Sequence, residues 1–168
     1  MLEEPLLATD FAALLRVLAQ GDVRFILIGG LAANAHGAVR LTRDVDVVYQ
    51  RSVDNVRKLV GALEPVSPYL RGAPLGLPFI FDVETVRRGL NFTLTTKVGS
   101  LDLLGEVVGG GTYDDLLPHT AELELLGLRC PCVNLETLIR LKRAAGRPKD
   151  FESIAELEAL LDERGKKP

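Results

Sequence analysis

Residues 25–49 read FILIGGLAANAHGAVRLTRDVDVVY, and our prediction of the fold begins with them. The short apolar run over 23–28 is rich in β-branched and aromatic side chains, which predicts a strand buried in the centre of a sheet. The pair Gly29 and Gly30 ends that strand. The alanine-rich segment 31–36 then predicts a short helix that begins just after the two glycines, so that its N-terminus points back at the end of the strand.

The spacing of two aspartates later in this stretch predicts a site for a divalent cation. Residues 44–49 predict a strand in which Asp44 and Asp46 share one face, with their Cα atoms about 6.6 Å apart. Carboxylates at that separation can bridge Mg²⁺ ions that carry a substrate phosphate. Gly29 and Gly30 offer unobstructed backbone N–H groups at a helix N-terminus, where an anionic phosphate can bind. An isolated Asp-x-Asp pair is most often a solvated strand face and an isolated Gly-Gly pair an ordinary turn, but their combination is more specific.

Capping residues and glycines divide the rest of the chain into further helices and strands. Helices are predicted to follow Asp10, Ser52 and Asn134, each of which can cap a helix N-terminus. The other predicted elements are a hairpin formed by 91–96 and 101–107, a helical turn over 113–117, strands within 122–132 that break at Gly127, and a last helix that starts at Asp150 with Phe151, Ile154, Leu157 and Leu161 facing inward.

This pattern of elements predicts an α/β (α+β) fold in which helices flank a small mixed β-sheet. We expect a single domain over 1–168, since no linker or internal repeat divides the sequence. Its core is expected at about 8–132, and C-terminal helices at about 134–163 are expected to pack over the sheet.

The composition excludes several classes of protein. The chain has 20 Lys and Arg against 23 Asp and Glu and a net charge of −3, which argues against broad coating of a nucleic-acid backbone. The longest apolar stretch, 25–39, is too short and too polar to span a membrane. The acidic start of the chain at 1–5 lacks the features of a secretory signal, so we expect a cytoplasmic protein. Cys130 and Cys132 lie too close in sequence for an ordinary disulfide and are expected to be free thiols.

Residues 65–78 are the least regular part of the sequence. They contain four prolines and two glycines, a composition typical of an ordered surface loop. Loops of this length without secondary structure are often functional. The sequence leaves the role of this loop open.

A longer motif around the two aspartates resembles a known superfamily. The string Gly-Gly-x-Ala-x-x-x-His-Gly-x-x-Arg-x-Thr-x-Asp-x-Asp is similar to the signature of the polymerase-β type nucleotidyltransferase superfamily. The similarity is greatest to its small bacterial branch, the AbiEii-like type IV toxins and related nucleotidyltransferases. It extends to a hairpin strand with a third aspartate and, loosely, to a C-terminal Lys-x-x-x-Gly-Arg-x-Lys-Asp motif, and it covers about 23–160. The matching residues are Gly29, Gly30, Ala32, His36, Gly37, Arg40, Thr42, Asp44, Asp46, Asp102, Lys142, Gly146, Arg147, Lys149 and Asp150.

The resemblance implies transfer of a nucleoside monophosphate from an NTP to a hydroxyl acceptor, with release of pyrophosphate. Two Mg²⁺ ions, or Mn²⁺ in their place, are the implied cofactors, bridged by Asp44 and Asp46. Asp102 would complete the second metal site or act as a general base. Gly29 and Gly30 would bind the β- and γ-phosphates through their backbone N–H groups.

Several other candidate residues have two open interpretations. The five basic residues over 139–149 form either a solvated helix face or, if the last helices fold back over the aspartate strand, a set of cations for the triphosphate. Arg40 either contacts phosphate or pairs with an acid, and Thr42 either caps the turn into the aspartate strand or contacts the nucleotide. His36 is interpreted as a structural hydrogen-bonding residue. The candidate phosphate-binding set is Gly29, Gly30, Arg40, Thr42, Lys142, Arg147 and Lys149.

Alternative functions remain open at this stage. Phosphatases of the haloacid-dehalogenase type also use Asp-x-Asp, but they require an apolar strand before the first aspartate. This chain has Leu41-Thr42-Arg43 at that place, which disfavours this class of enzyme. The chain is either an active enzyme or a catalytically inactive module that binds a nucleotide or a protein, and the three aspartates favour activity. A toxin-like member would also have an antitoxin partner.

The acceptor hydroxyl can belong to an RNA end, a protein side chain or a small molecule such as an aminoglycoside. The weak net charge makes extensive RNA contact least favoured.

Overall fold

The computed structural model describes residues 8–166, and the segments 1–7 and 167–168, which include the acidic start of the chain, lie outside the described residues. The helices are α1 (Phe11–Gln20), α2 (Gly29–Ala35), α3 (Val53–Leu63), α4 (Val83–Arg88), α5 (Tyr113–Leu116), α6 (Leu135–Ala145) and α7 (Pro148–Gly165). The strands are β1 (Phe25–Ile28), β2 (Asp44–Tyr49), β3 (Tyr69–Leu70), β4 (Phe92–Thr96), β5 (Gly99–Leu104), β6 (Glu106–Val107), β7 (Gly111–Thr112), β8 (Thr120–Leu125) and β9 (Leu128–Val133).

Seven of the strands form one mixed sheet in the order β3-β4-β5-β2-β1-β9-β8, and β6 pairs with β7 in a separate ribbon. The central strand β2 is antiparallel to β1 and parallel to β5. On the far side of β1, strand β9 runs parallel to it. The hairpin partners β4 and β8 are antiparallel to β5 and β9 and extend the sheet outward. This mixed α/β architecture with flanking helices confirms the predicted fold class.

Local capping chemistry sets the start of three helices where the sequence predicts it. The side chains of Asp10, Ser52 and Asn134 each accept a hydrogen bond from the backbone N–H three residues further on. Helix α6 ends at Ala145, and the following Gly146 has a φ of +64°, a left-handed conformation that glycine adopts without a Cβ clash. These positions confirm the predicted boundaries of α1, α3 and α6.

The predicted boundaries of α2 and α7 were wrong by two residues. Helix α2 begins at Gly29 itself, because a φ of +72° at this position lets the chain turn from strand to helix without a connecting residue. Helix α7 begins at Pro148, since proline fits the first turn of a helix, where its missing N–H is not needed. Phe151 is 64% exposed, so the prediction that it faces inward was also wrong, whereas Ile154 and Leu157 are buried.

The proline-rich segment 65–78 and the residues after it contain two elements that the sequence did not predict, β3 and α4. The short strand β3 pairs with the edge of β4. The irregular stretch then continues to Asp82, whose side chain accepts a hydrogen bond from the N–H of Thr85 and caps α4. The second strand of the predicted hairpin ends at Leu104 and not at Val107, which belongs to the separate β6–β7 ribbon.

The core forms on the apolar faces of the sheet and the helices. All four residues of β1 are buried. On β2 the side chains alternate, so that Val45 and Val47 are fully buried while Asp44 and Asp46 lie half-buried on the other face. Helix α2 packs against β2 and α6. The polar face of the central strand therefore lies where α2 meets the sheet.

Cys130 and Cys132 are both free and buried in β9, as predicted. Burial, together with the neighbouring Cys130 and Glu122, raises the pKa of the Cys132 thiol to about 12. Such a thiol is unreactive at neutral pH.

Among residues 8–166, no helix combines the length and the hydropathy that crossing a membrane requires.

Candidate functional site

Three carboxylates meet at the centre of the sheet. Asp44 and Asp46 are two residues apart on β2, and Asp102 on β5 lies directly opposite Asp46 in the parallel register. One carboxylate oxygen from each of the three lies within 4.8 Å of the other two. The pairing of β5 with β2 therefore brings together aspartates that are distant in sequence.

The Gly-Gly turn at the start of α2 packs directly against this cluster. A Cβ atom added to Gly29 would overlap Oδ2 of Asp46, and one added to Gly30 would lie 2.8 Å from Oγ1 of Thr42. Both glycines are therefore required for the close approach of α2 to β2, and Gly29 also for its positive φ.

The surroundings of Asp46 disfavour its charged form. Burial raises the pKa of Asp46, and hydrogen bonding with Asp102 and the charges of Asp102 and Asp44 raise it further, to about 8. The positive charge of Arg147 only partly opposes this increase. A carboxyl group with such a pKa is largely protonated at neutral pH. The donor set consists of hard oxygen atoms, which is the type of ligand that Mg²⁺ prefers in proteins.

A cavity of about 360 Å³ extends from the carboxylates to the corner between α6 and α7. Its lining includes four aspartates and five cationic side chains. All ten residues that the sequence analysis proposed for metal or phosphate binding border this one cavity, although their roles stay predictions. The lining residues are Gly29, Gly30, Ala33, Arg40, Leu41, Thr42, Arg43, Asp44, Asp46, Asp102, Lys142, Arg147, Lys149, Asp150 and Ser153.

Asp150 holds two of these cations at the cavity. It is only 3% exposed, accepts a hydrogen bond from Nε of Arg147 at 2.9 Å, and lies 3.9 Å from Nζ of Lys142. Burial raises the pKa of Asp150, but the hydrogen bonds and charge of Arg147 and the charge of Lys142 outweigh it and hold the pKa below its usual range. Burial lowers the pKa of Lys142, and the charge of Asp150 opposes that effect. This role is not evident from the sequence, in which Asp150 indicates only the start of a helix.

Arg40 and Thr42 both have protein partners at the edge of the cavity. Nε of Arg40 donates to Glu156 at 2.8 Å, and NH1 lies 3.6 Å from Glu152. Oγ1 of Thr42 donates to the backbone carbonyl of Asp44 at 3.3 Å. Arg40 therefore pairs with acids of α7, and Thr42 supports the turn into β2, while both side chains still line the cavity.

Arg71 is a site residue that the sequence analysis did not identify. It follows β3, and its NH2 group donates to Oδ1 of Asp102 at 2.8 Å and to the carbonyl of Leu94 at 2.6 Å. Its NH1 group lies 3.7 Å from Oδ1 of Asp44. A signal existed in the sequence, since the proline-rich loop was recognised as a segment of the kind that is often functional. The loop composition alone did not indicate which of its residues reaches the carboxylates.

A second cavity, of about 520 Å³, lies next to the first and shares Thr42, Arg43 and Asp44 with it. More of its surface is apolar than in the first cavity. Asp44 therefore borders two cavities of different chemical character. The lining residues are Ala8, Thr9, Phe11, Thr42, Arg43, Asp44, Arg71 and Ser100.

His36 does not border either cavity. It is 8% exposed, and its Nε2 atom hydrogen-bonds to the carbonyl of Val133 at 2.8 Å. The guanidinium of Arg164 lies 3.2 Å from Nδ1 and donates to the His36 carbonyl at 3.0 Å. Burial lowers the pKa of His36, the hydrogen bond to Val133 opposes this change, and the charge of Arg164 adds to it. These contacts agree with the interpretation of His36 as a structural residue.

The fold of this chain is similar to the folds of several solved structures. Lincosamide antibiotic adenylyltransferase LnuA, solved with lincomycin bound, superposes with a TM-score of 0.60 at 15% identity, over 94% of this chain and 99% of that chain. This chain has the nucleotidyltransferase fold. ANT(2'')-Ia, solved with adenylyl-2''-tobramycin, shares this nucleotidyltransferase fold with a TM-score of 0.56 at 15% identity, over 88% and 84% of the two chains. The Thermotoga maritima protein TM1012 superposes with a TM-score of 0.53 at 16% identity, over 91% of this chain and 95% of that chain.

The nucleotidyltransferase fold is thus shared at low sequence identity. No protein-family model matches the sequence, and no curated protein is similar to it in sequence. The comparisons establish the fold. They do not test the narrower resemblance of the sequence motif to AbiEii-like proteins.

Proposed function

We propose that this chain is a divalent-metal-dependent nucleotidyltransferase that moves a nucleoside monophosphate from an NTP to the hydroxyl of a small molecule and releases pyrophosphate. The observation that carries the proposal is the register that sets Asp102 opposite Asp46. This register forms a cluster of three carboxylates beside a cationic cavity. The nucleotidyltransferase fold of the chain supports the same conclusion.

Asp44, Asp46 and Asp102 are the residues that would hold the metal, as two Mg²⁺ ions or as Mn²⁺ in their place. Their oxygen donors and the raised pKa of Asp46 fit a divalent cation, because such an ion would relieve the repulsion among the carboxylates. Bound Mg²⁺ would supply positive charge to the triphosphate and lower the pKa of the acceptor hydroxyl.

Residues on the other side of the cavity would bind the triphosphate. Lys142, Arg147 and Lys149 provide fixed positive charges there, of the kind on which phosphoryl transfer depends. The backbone N–H groups of Gly29 and Gly30 are unobstructed by side chains and would bind phosphate oxygens. In the reaction a bond forms between the acceptor oxygen and the α-phosphorus, and the bond from that phosphorus to pyrophosphate breaks. The acceptor hydroxyl loses its proton, for which Asp102 is the candidate base.

The second cavity supports a small molecule as the acceptor. It borders Asp44, so a hydroxyl group bound there would lie next to the carboxylate cluster. Its volume of about 520 Å³ is in the range of small-molecule sites. LnuA and ANT(2'')-Ia were solved with lincomycin and an adenylylated tobramycin, which are molecules of this size class. A role as a toxin with an antitoxin partner is implied by the sequence motif alone and stays a prediction.

Calorimetric titration of each of the four NTPs, with and without Mg²⁺, tests the proposal. The wild type is compared with D44A/D46A and with D54A/D162A, which removes the same charge at exposed positions away from the cavity. We expect metal-dependent NTP binding in the wild type and in D54A/D162A, and loss of binding in D44A/D46A. Pyrophosphate release is then measured with panels of small hydroxylated molecules, RNA ends and proteins as acceptors.

The outcomes separate the alternatives. Pyrophosphate release that requires a small hydroxylated acceptor supports the full proposal. Release with RNA or protein alone retains the nucleotidyl transfer but contradicts the acceptor class. Metal-dependent binding without release under any condition indicates the inactive nucleotide-binding module, and absence of binding contradicts the proposed site.

A further inference from the structure

Arg71 is the arginine that contacts two of the three carboxylates. A single guanidinium group approaches Oδ1 of both Asp44 and Asp102, at 3.7 and 2.8 Å. Its side chain is only 21% exposed, so the ion pairs are weakly screened by water. Charge-assisted hydrogen bonds of this kind are among the stronger polar contacts in proteins.

The same guanidinium group is incompletely satisfied. Its Nε atom is buried and has no hydrogen-bond partner. A buried donor without a partner carries a desolvation cost. The present position of Arg71 is therefore maintained mainly by its attraction to the carboxylates and to the carbonyl of Leu94. A change of charge in the cluster would weaken the ionic part of this attraction and leave the Leu94 hydrogen bond as the remaining side-chain contact.

We propose that Arg71 is a built-in competitor of the metal ion for Asp102. A divalent cation held by Asp44 and Asp102 would draw on the negative charge of the same two carboxylates that Arg71 now contacts. Like charges repel each other, so the cation and Arg71 do not engage Asp102 at the same time. Metal binding releases Arg71 from the cluster.

This release couples the metal site to the second cavity. Arg71 lines that cavity and begins the irregular stretch between β3 and α4. Its backbone N–H donates to the carbonyl of Thr93 at 3.0 Å, which anchors the backbone of Arg71 at the sheet edge independently of the side-chain contacts. The inference rests on the proposed function, because it requires that the three aspartates bind a metal.

Calorimetric titration of Mn²⁺ alone, without nucleotide, is the first test. We compare the wild type with R71M, R71K and the control R88Q, which removes an exposed arginine of α4 that pairs with Glu84 and lines neither cavity. We expect R71M to bind Mn²⁺ about tenfold more tightly than the wild type, R71K to lie between them, and R88Q to match the wild type. Equal or weaker binding by R71M contradicts the inference.

Limited proteolysis of the wild type provides a second readout that requires no variant at Arg71. Trypsin cleaves after arginine, so release of the side chain should make the Arg71–Gly72 bond more accessible. We expect Mn²⁺ to increase cleavage at this bond relative to cleavage after Arg88, and the increase to be absent in D44N/D46N.

The two proposals fail in different ways. Mn²⁺ binding that leaves cleavage at Arg71 unchanged contradicts the competition and leaves the metal site intact. If neither the wild type nor R71M binds Mn²⁺ while both are folded by circular dichroism, the metal site itself is absent. In that case the proposed function fails together with the inference.

Discussion

Asp46 on β2 and Asp102 on β5 lie directly opposite each other in a parallel pair of strands. Because side chains alternate along a strand, a slip of one residue would replace Asp102 on this face with Leu101 or Leu103. Both leucines are fully buried on the other face of the sheet, where the core fixes them. The packing of the core therefore determines the register that forms the carboxylate cluster.

The raised pKa of Asp46 predicts an unusual dependence of stability on pH in the absence of metal. A carboxyl group whose pKa is higher in the folded state stabilises the fold below its unfolded pKa of 3.8 and loses that contribution as the pH rises toward 8. We expect D46N to remove this loss and to be more stable than the wild type at pH 8 by roughly 1–3 kcal/mol. Urea denaturation in EDTA at pH 5, 6.5 and 8 measures the difference.

The exposed variant D54N is the control for this experiment, and its pH profile should follow that of the wild type. Addition of Mg²⁺ should reduce the advantage of D46N at pH 8, because the ion stabilises only the intact cluster. A constant difference between D46N and the wild type at all three pH values would contradict the raised pKa.

Substitution of Gly29 tests the close approach of α2 to the cluster. A Cβ at this position overlaps Asp46, and the φ of +72° is strained for any other residue. We expect G29A to lower the free energy of unfolding by about 1–3 kcal/mol and to weaken Mn²⁺ binding at least tenfold. Denaturation and calorimetry measure the two effects.

Gly61 provides the matched control for G29A. It lies within helix α3, and a Cβ there has open space. We therefore expect G61A to raise the free energy of unfolding by about 0.5–1 kcal/mol through its higher helix propensity, and to leave Mn²⁺ binding unchanged. Similar behaviour of the two variants would show that Gly29 has no special steric role.

Removal of the buried acid Asp150 should destabilise the corner between α6 and α7. The variant D150N leaves Lys142 and Arg147 without their shared partner, which we expect to cost about 2–4 kcal/mol. NTP binding should weaken as the two cations lose their positions, whereas Mn²⁺ binding without nucleotide should change little. D162N, an exposed aspartate on the same helix, should match the wild type in stability and in NTP affinity.

His36 should affect stability and not the site. H36A leaves the buried carbonyl of Val133 without its partner, with an expected loss of about 1–3 kcal/mol. Because the folded state lowers the pKa of His36, wild-type stability should decline as the pH falls below 6.5, and H36A should lack this decline. H119A changes the other, exposed histidine and should behave like the wild type in denaturation at pH 5 and 7. A loss of Mn²⁺ binding in H36A would indicate a role beyond structure.

Local sequence patterns predicted most of the helices and strands and ten of the residues that line the first cavity. The capping side chains of Asp10, Ser52 and Asn134 set the starts of their helices. Each of these hydrogen bonds joins residues that are only three positions apart, so the signal is local in sequence. The Gly-Gly turn and the Asp-x-Asp strand are also local patterns, and they indicated Gly29, Asp44 and Asp46 directly.

Long-range packing determines which distant residues join these local patterns. The pairing of β2 with β5 positions Asp102, and the corner between α6 and α7 brings Lys142 and Arg147 to the same cavity. The partners of Arg40 on α7 likewise depend on how that helix packs. The contact of Arg71 with Asp102 spans 31 residues and depends on the path of an irregular loop. Periodicity along the chain carries no information on such contacts, because they form only when the core has fixed the strand register and the helix positions.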